Sequence, residues 1–160
     1  WRTSQGAEKW MHIKTHDNTE EACIHLKAKG FRLVAAHLSD TAVDYKAVNY
    51  TQPTAIVLGS ELFGVSDVTL RHIDQQINIP MMGVTQSLNV SVACAVVLYE
   101  AQFQRRNAGM YDNCRLDDET LARQRFEWLH PVLTAYCKKH GLRYPALDEN
   151  GDLVEAMPRA

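Results

Sequence analysis

The residues best suited to do chemistry are Glu61, Ser87, Asn89 and His37, and each sits in a short polar stretch that follows an apolar run. The three stretches are Ala36-His37-Leu38-Ser39, Gly59-Ser60-Glu61-Leu62-Phe63-Gly64, and Pro80 through Asn89. They are rich in Gly, Ser and Asn, or in residues that leave backbone groups free. A ligand carrying adenine and ribose needs such groups: amides and carbonyls to read the base edge, and a carboxylate or amide for the hydroxyls. The usual nucleotide motifs are absent. No GxGxxG occurs, and Gly59-x-x-x-x-Gly64 lacks the Lys-Ser/Thr that completes a phosphate-binding P-loop. No metal-ligand cluster is apparent. The four cysteines, Cys23, Cys94, Cys114 and Cys137, show neither CxxC nor Cys/His spacing. Free buried thiols in a reducing cytosol fit them better than a disulfide or a metal site.

Each of these residues also has a plainer reading. Glu61 could be a solvated or helix-capping carboxylate, and Ser87 and Asn89 could simply cap a helix. His37 is nearly as well explained as a structural residue. Ala36, Ile79 and Leu88 look like core or strand-end apolar residues. Arg105 and Arg106 suit a solvated helix end, where they favour the helix dipole, and equally suit contact with RNA phosphate.

The elements that must position these residues alternate. Trp10-Met11-His12-Ile13-Lys14 reads as a short strand. Asp17 with Glu20 forms a capping-box pattern for a helix burying Ala22, Cys23 and Leu26, and Gly30 stops it. Phe31 to Ala36 reads as a second strand, followed by a loop-like stretch through Tyr50. Thr54-Ala55-Ile56-Val57-Leu58 is an apolar run expected of a strand buried on both faces. Ser66-Asp67 can cap a short helix through Ile73, and Ile77-Asn78-Ile79-Pro80 is a further strand. A long helix from Val90 to about Arg106 begins apolar nearly all round, which demands enclosure on most sides.

Strands alternating with helices predict a parallel α/β sheet, and in such sheets ligands bind beyond the carboxyl ends of the strands. The three polar stretches lie at those ends. Residues 112–160 read as a helical extension, interrupted near Pro131, with Asn150-Gly151 as a turn in the tail. Trp128 and Tyr136 fit core packing there. The 160 residues, 46% hydrophobic, suit one domain of residues 1–111 plus this extension. With 17 basic and 19 acidic residues the net charge is near zero, so any RNA surface must be local. No apolar run reaches the ~18 residues of a membrane span, and the opening Trp1-Arg2-Thr3-Ser4-Gln5-Gly6 is polar and reads as the inside of a loop rather than as a signal peptide.

Two motifs then carry a resemblance. Ile56-Val57-Leu58-Gly59-Ser60-Glu61-Leu62-Phe63-Gly64-Val65-Ser66 resembles the second signature of SPOUT-class RNA ribose methyltransferases. Ile77-Asn78-Ile79-Pro80-Met81-Met82-Gly83-Val84-Thr85-Gln86-Ser87-Leu88-Asn89-Val90-Ser91-Val92-Ala93 resembles their third. Ala36-His37-Leu38-Ser39-Asp40 with Asp44-Tyr45, and Tyr99-Glu100-Ala101-Gln102 to Asn107-Ala108-Gly109-Met110-Tyr111, point to the TrmH/SpoU-type tRNA guanosine 2′-O-methyltransferases. The similarity runs from about Lys9 to Tyr111.

The resemblance implies a parallel sheet flanked by helices, with a trefoil knot formed by the third motif. It also implies a homodimer with tRNA lying across both subunits, in the cytoplasm. It implies that S-adenosyl-L-methionine is held by Ala36, His37, Leu38, Gly59, Ile79, Met81, Ser87 and Leu88, with Glu61, Ser87 and Asn89 shaping the catalytic region and no metal. The reaction it implies is methyl transfer to a ribose 2′-hydroxyl of tRNA, at a D-loop guanosine. Members open with a first motif, an Asn followed a few residues later by an Arg that activates the hydroxyl. Nothing of that form is found, so the chain is expected to be a fragment. The alternatives are a non-catalytic knotted dimer that binds cofactor or RNA, and an enzyme of the same class acting on ribosomal RNA.

Overall fold

A computed structural model describes residues 11–84, 87–156 and 158. The chain divides into two compact units, residues 1–112 and 113–160.

In the first unit, α1 (Thr19–Ala28) starts at Asn18, not Asp17. The Asn18 side chain accepts from the Glu21 amide, and the Glu21 carboxylate in turn accepts from the Asp17 amide at 3.3 Å. The cap is displaced by one residue from the expected pair, and its return bond comes from the amide before the cap residue rather than from the cap's own. Gly30, at φ +78°, turns the chain out of the helix. Of the residues expected beneath α1, Cys23 is buried, while Ala22 and Leu26 are half-buried. Residues 11–14 form no strand; Trp10 and the opening six residues lie outside the described part, as do Thr85 and Gln86.

Among the described residues the sheet is four-stranded and wholly parallel: β1 (Arg32–Ala36), β2 (Val43–Asp44), β3 (Thr54–Val57) and β4 (Gln75–Asn78), in the order β2-β4-β1-β3. β1 is the strand enclosed on both faces, with Leu33, Val34 and Ala35 wholly buried. β3, expected to be the buried one, is an edge strand and half-buried along its length. Asp74 ties three elements together. Its carboxylate accepts from the Leu33 amide and the Lys27 ammonium, both at 2.8 Å. Partial burial pushes the Asp74 carboxyl pKa up, but those two partners outweigh it and hold it below the ordinary value.

Helix α2 (Asp67–Leu70) is capped by Ser66, and α3 (Val90–Asn107) by Asn89. One face of α3 contributes Val97 and Ala101 to a core with Val34, Val48, Tyr50 and Ile77. Gln104 fixes the loop beside it, accepting from the Tyr50 amide and donating to the Val48 carbonyl. The Tyr50 hydroxyl donates to the Tyr45 carbonyl, and its pKa is pushed to about 12, chiefly by burial. Enclosure on most sides is the expectation for the first half of α3; Val90, Ala93, Cys94 and Val96 there are half-buried, but one face is open. Val92, Leu98, Tyr99 and Phe103 are 48–73% exposed.

The second unit pairs α4 (Asp118–Leu129) with α5 (Pro131–His140). Pro131 separates them because it begins a helix more easily than it continues one. Phe126 and Cys137 are buried in this unit, Phe126 stacked on Tyr144 with ring centroids 4.6 Å apart. Residues 148–152 form a turn closed by the Leu147–Leu153 bridge, and His130 Nε2 holds the Gly151 carbonyl at 2.8 Å. Trp128 and Tyr136 are 43% and 38% exposed and so are not core residues. No helix among the described residues is long and apolar enough to cross a membrane.

Candidate cofactor and active site

All three polar stretches converge at the carboxyl ends of the strands. They line two adjoining cavities of about 400 and 160 Å³ that share Ala36, Ser87, Leu88 and Ala93. The larger is walled by residues 58–61 with Gly64 on one side and residues 87–90 on the other. The smaller is walled by Ala36, His37 and Leu38 from the end of β1, and by Ile77, Asn78, Ile79 and Met81 from the end of β4. Glu61, Asn89, Ser87, Gly59 and the other residues anticipated for cofactor or catalysis therefore line these two adjoining cavities. Arg105 and Arg106 line neither cavity.

The Gly59–Gly64 loop is a closed lap. The Ser60 amide donates to the Gly64 carbonyl at 3.0 Å, the Gly64 amide returns a bond to the Ser60 carbonyl at 2.9 Å, and the Ser60 hydroxyl accepts from the Phe63 amide. Gly59 permits this crossing. A Cβ there would stand 2.1 Å from the Gly64 carbonyl carbon, which is backbone and cannot step aside. The lap holds Glu61 at the cavity and leaves Leu62 and Phe63 at its tip, 86% and 87% exposed.

Asn89 joins the lap to α3 with both ends of its amide. Oδ1 accepts from the Ser91 amide at 2.9 Å, capping the helix, and Nδ2 donates to Glu61 Oε1 at 3.1 Å. Capping and site-building are thus one arrangement, since the cap fixes the amide that orients the carboxylate. His37 continues the β1 ladder by donating its amide to the Ile77 carbonyl at 3.1 Å. His37 is one of the residues lining the smaller cavity.

Among the described residues no group of three or more His, Cys, Asp or Glu could hold a metal ion. The cysteines are unpaired; Cys23 and Cys137 are buried, Cys94 is half-buried, and Cys114 is exposed, against the expectation of burial. Arg105 lies along α3 with its Nε donating to the Tyr50 carbonyl at 2.8 Å, while Arg106 is exposed at the helix end. Sequence reasoning passed over Leu58, Ser60, Gly64, Val90 and Ala93, which also line the larger cavity. Their only signal is adjacency to the residues singled out. A third cavity, about 610 Å³, lies between α3 and the Tyr45–Ala47 turn, lined by Tyr45, Lys46, Val92, Ala95, Tyr99 and Glu100 among others. No polar stretch flagged it.

Comparison with known proteins places this geometry. Residues 1–99 match the model of the SpoU rRNA Methylase family, and residues 103–156 that of the C-terminal region described as SpoU, rRNA methylase, C-terminal. The tRNA (guanosine(18)-2'-O)-methyltransferase of Escherichia coli (strain K12) is 46% identical over 150 residues, covering 92% of this chain. The chain spans 66% of that relative's length. Among solved structures, the A. aeolicus TrmH/SpoU tRNA modifying enzyme superposes with a TM-score of 0.71 at 38% identity, over 88% of this chain and 67% of the other. The SpoU methyltransferase AviRb from Streptomyces viridochromogenes, solved in complex with the cofactor AdoMet, gives 0.61 at 28% identity over 66% and 44% of the two chains.

Proposed function

The chain belongs to the SpoU rRNA methylase family, and from that premise we propose that it binds S-adenosyl-L-methionine and directs its methyl group to a ribose 2′-hydroxyl of tRNA, at a D-loop guanosine. The observation that carries this reading is the convergence of the three strand-end loops on one two-lobed cavity. Its larger lobe, about 400 Å³, falls within the ordinary range of ligand pockets, roughly 300–1,000 Å³, and the smaller, about 160 Å³, adjoins it. The donor set also fits. Strand-end amides and carbonyls at Ala36–Leu38, Ile79–Met81 and Ser87–Leu88 suit an adenine edge and a ribose, and apolar Leu58, Val90 and Ala93 suit the methylene groups beside the sulfonium.

When bound, the cofactor supplies an electrophilic methyl group. The chain's own residues do the positioning. Holding donor and acceptor oxygen in line removes much of the entropic barrier, on the order of several kcal/mol. Glu61, oriented by Asn89, accepts a hydrogen bond from the incoming hydroxyl and can take its proton. Ser87 closes the floor of both lobes. Arg106 contacts RNA phosphate from the exposed end of α3. Arg105, its Nε already committed to Tyr50, offers RNA only its terminal nitrogens.

Two structural features of the reading go with this. The order β2-β4-β1-β3 means that β4 enters between strands laid down earlier. That supports passage of the following segment through a trefoil knot, a rare exception among folds. The open apolar face of α3 and the cavity beside it support a homodimer covering Val92, Tyr99 and Phe103. A cytoplasmic location goes with a tRNA substrate.

A second reading, binding without turnover, is favoured by one observation: among the described residues no lysine or arginine lines either lobe. Labelled S-adenosylmethionine and unmodified tRNA separate the two. Label recovered in 2′-O-methylguanosine after nuclease digestion supports the enzyme. Cofactor binding with no label transferred supports the binding module, and no cofactor binding by folded protein refutes both.

A further inference from the structure

The smaller lobe has one wall that the sheet does not hold. After the His37 amide bonds the Ile77 carbonyl, residues 38–42 leave the ladder, and Leu38, a lining residue, is 63% exposed. Little packing keeps such a residue in place. What ties this segment back is Ser39. Its half-buried hydroxyl donates to Oε1 of Gln76 on β4, and it also lies 3.3 Å from the Thr41 hydroxyl. The Ser39 carbonyl accepts from the Ala42 amide at 3.1 Å, so the segment is a small closed turn. Gln76 stands opposite Ala35, while its neighbour Ile77 stands opposite Ala36 and lines the lobe. Since successive side chains point to opposite faces of a strand, Gln76 shares its face of β4 with Asn78, another residue lining the lobe, and the Ser39–Gln76 bond is made one pleat below it. Neither Ser39 nor Gln76 lines either lobe.

We propose that Ser39 and Gln76 are positioning residues for the cofactor. They touch no ligand, and they set the distance between the His37–Leu38 wall and the end of β4. The inference rests on the reading of this cavity as the S-adenosyl site. It assigns these two side chains a role separate from the residues that face the ligand. Releasing the hydroxyl frees the wall to open, and binding then has to order it at each encounter. A single net hydrogen bond corresponds to about a fivefold change in an equilibrium constant.

The test is calorimetric titration of S-adenosylhomocysteine into the wild-type chain, Ser39→Ala, Gln76→Ala, the double variant and Ser39→Thr, each with its melting temperature. The expected result is a Kd raised about fivefold by either alanine, no further rise in the double variant, and recovery in Ser39→Thr. Melting temperatures should stay close to wild type. A Kd within twofold of wild type in Ser39→Ala or Gln76→Ala overturns the inference. So do additive effects in the double variant, or losses that follow the melting temperature alone. A wild-type chain that is folded but binds no S-adenosylhomocysteine overturns the reading of the cavity itself, and this inference with it.

Discussion

Replacing Asn89 by Asp separates the two duties of that side chain. In the native protein Oδ1 caps α3 through the Ser91 amide at 2.9 Å, and Nδ2 donates to Glu61 Oε1 at 3.1 Å. An aspartate keeps the acceptor for Ser91. It also adds a negative charge at the amino end of an 18-residue helix, where the dipole contributes about 0.3–1 kcal/mol. At the other end it sets a carboxylate oxygen against Glu61 where a donor stood. Two unit charges ~4 Å apart repel by about 4 kcal/mol at an effective dielectric of 20. Both groups are exposed, so rotation and solvent screening reduce that to about 1 kcal/mol. The helix gain and the repulsion therefore nearly cancel in stability, and the melting temperature should change by no more than about 3 °C.

The site does not cancel, because Glu61 loses its orienting donor and swings outward. Affinity for S-adenosylhomocysteine should fall about fivefold, and methyl transfer further. Part of the loss should return in 1 M salt, where the Debye length shrinks to about 3 Å. Asn89→Ala is the contrast. It loses the cap, about 1 kcal/mol, as well as the Glu61 bond, so it should lose both stability and binding. Calorimetry and thermal melts on the two variants read out both quantities. Equal melting and binding losses in Asp and Ala, or wild-type binding in Asp, would refute the claim that the Asn89–Glu61 bond shapes the site.

Gly59→Ala should open the Ser60–Gly64 lap, because its Cβ meets backbone at 2.1 Å; S-adenosylhomocysteine titration should show at least a tenfold loss. The Asp74 and Glu127 carboxyls are both held below their ordinary values: burial acts against this at each, and is outweighed by Lys27 and the Leu33 amide at Asp74 and by Lys138 and Tyr144 at Glu127. Their stabilisation is therefore present above the unfolded-state pKa and lost as pH falls through the lowered folded-state values. A denaturant series should show stability declining below about pH 4, with a shallower decline in Asp74→Asn. Tyr99→Glu with Phe103→Glu should give a monomer by light scattering if a second copy covers α3; a dimer of unchanged stability would contradict that arrangement.

The site was more legible in the sequence than the sheet. Gly59, Glu61, Ser87 and Asn89 stand in polar stretches directly after apolar runs, and the geometry of parallel sheets brings such stretches to one end. What periodicity could not reveal was decided by partners distant in sequence. β2 is two residues long and exists because β4 pairs with it. Asn18 and Asp17 are equally able caps by type, and the extended backbone of Asn18, at φ −152°, selected it. The apolar first half of α3 demanded a cover, yet hydrophobicity alone does not say whether the cover is this chain or another. Arg105 reads as a solvated helix end, and only the fold shows it reaching back to the Tyr50 carbonyl.

The central claim is that the two-lobed cavity is the S-adenosyl site. Backbone amide NMR during titration with S-adenosylhomocysteine tests it most directly. The account predicts saturable shifts concentrated in residues 36–39, 58–64, 77–81 and 87–93, with little change around Lys46 and Tyr99. Saturable shifts centred instead on the cavity beside Tyr45, Lys46 and Glu100, or no shifts from a folded protein, would contradict it.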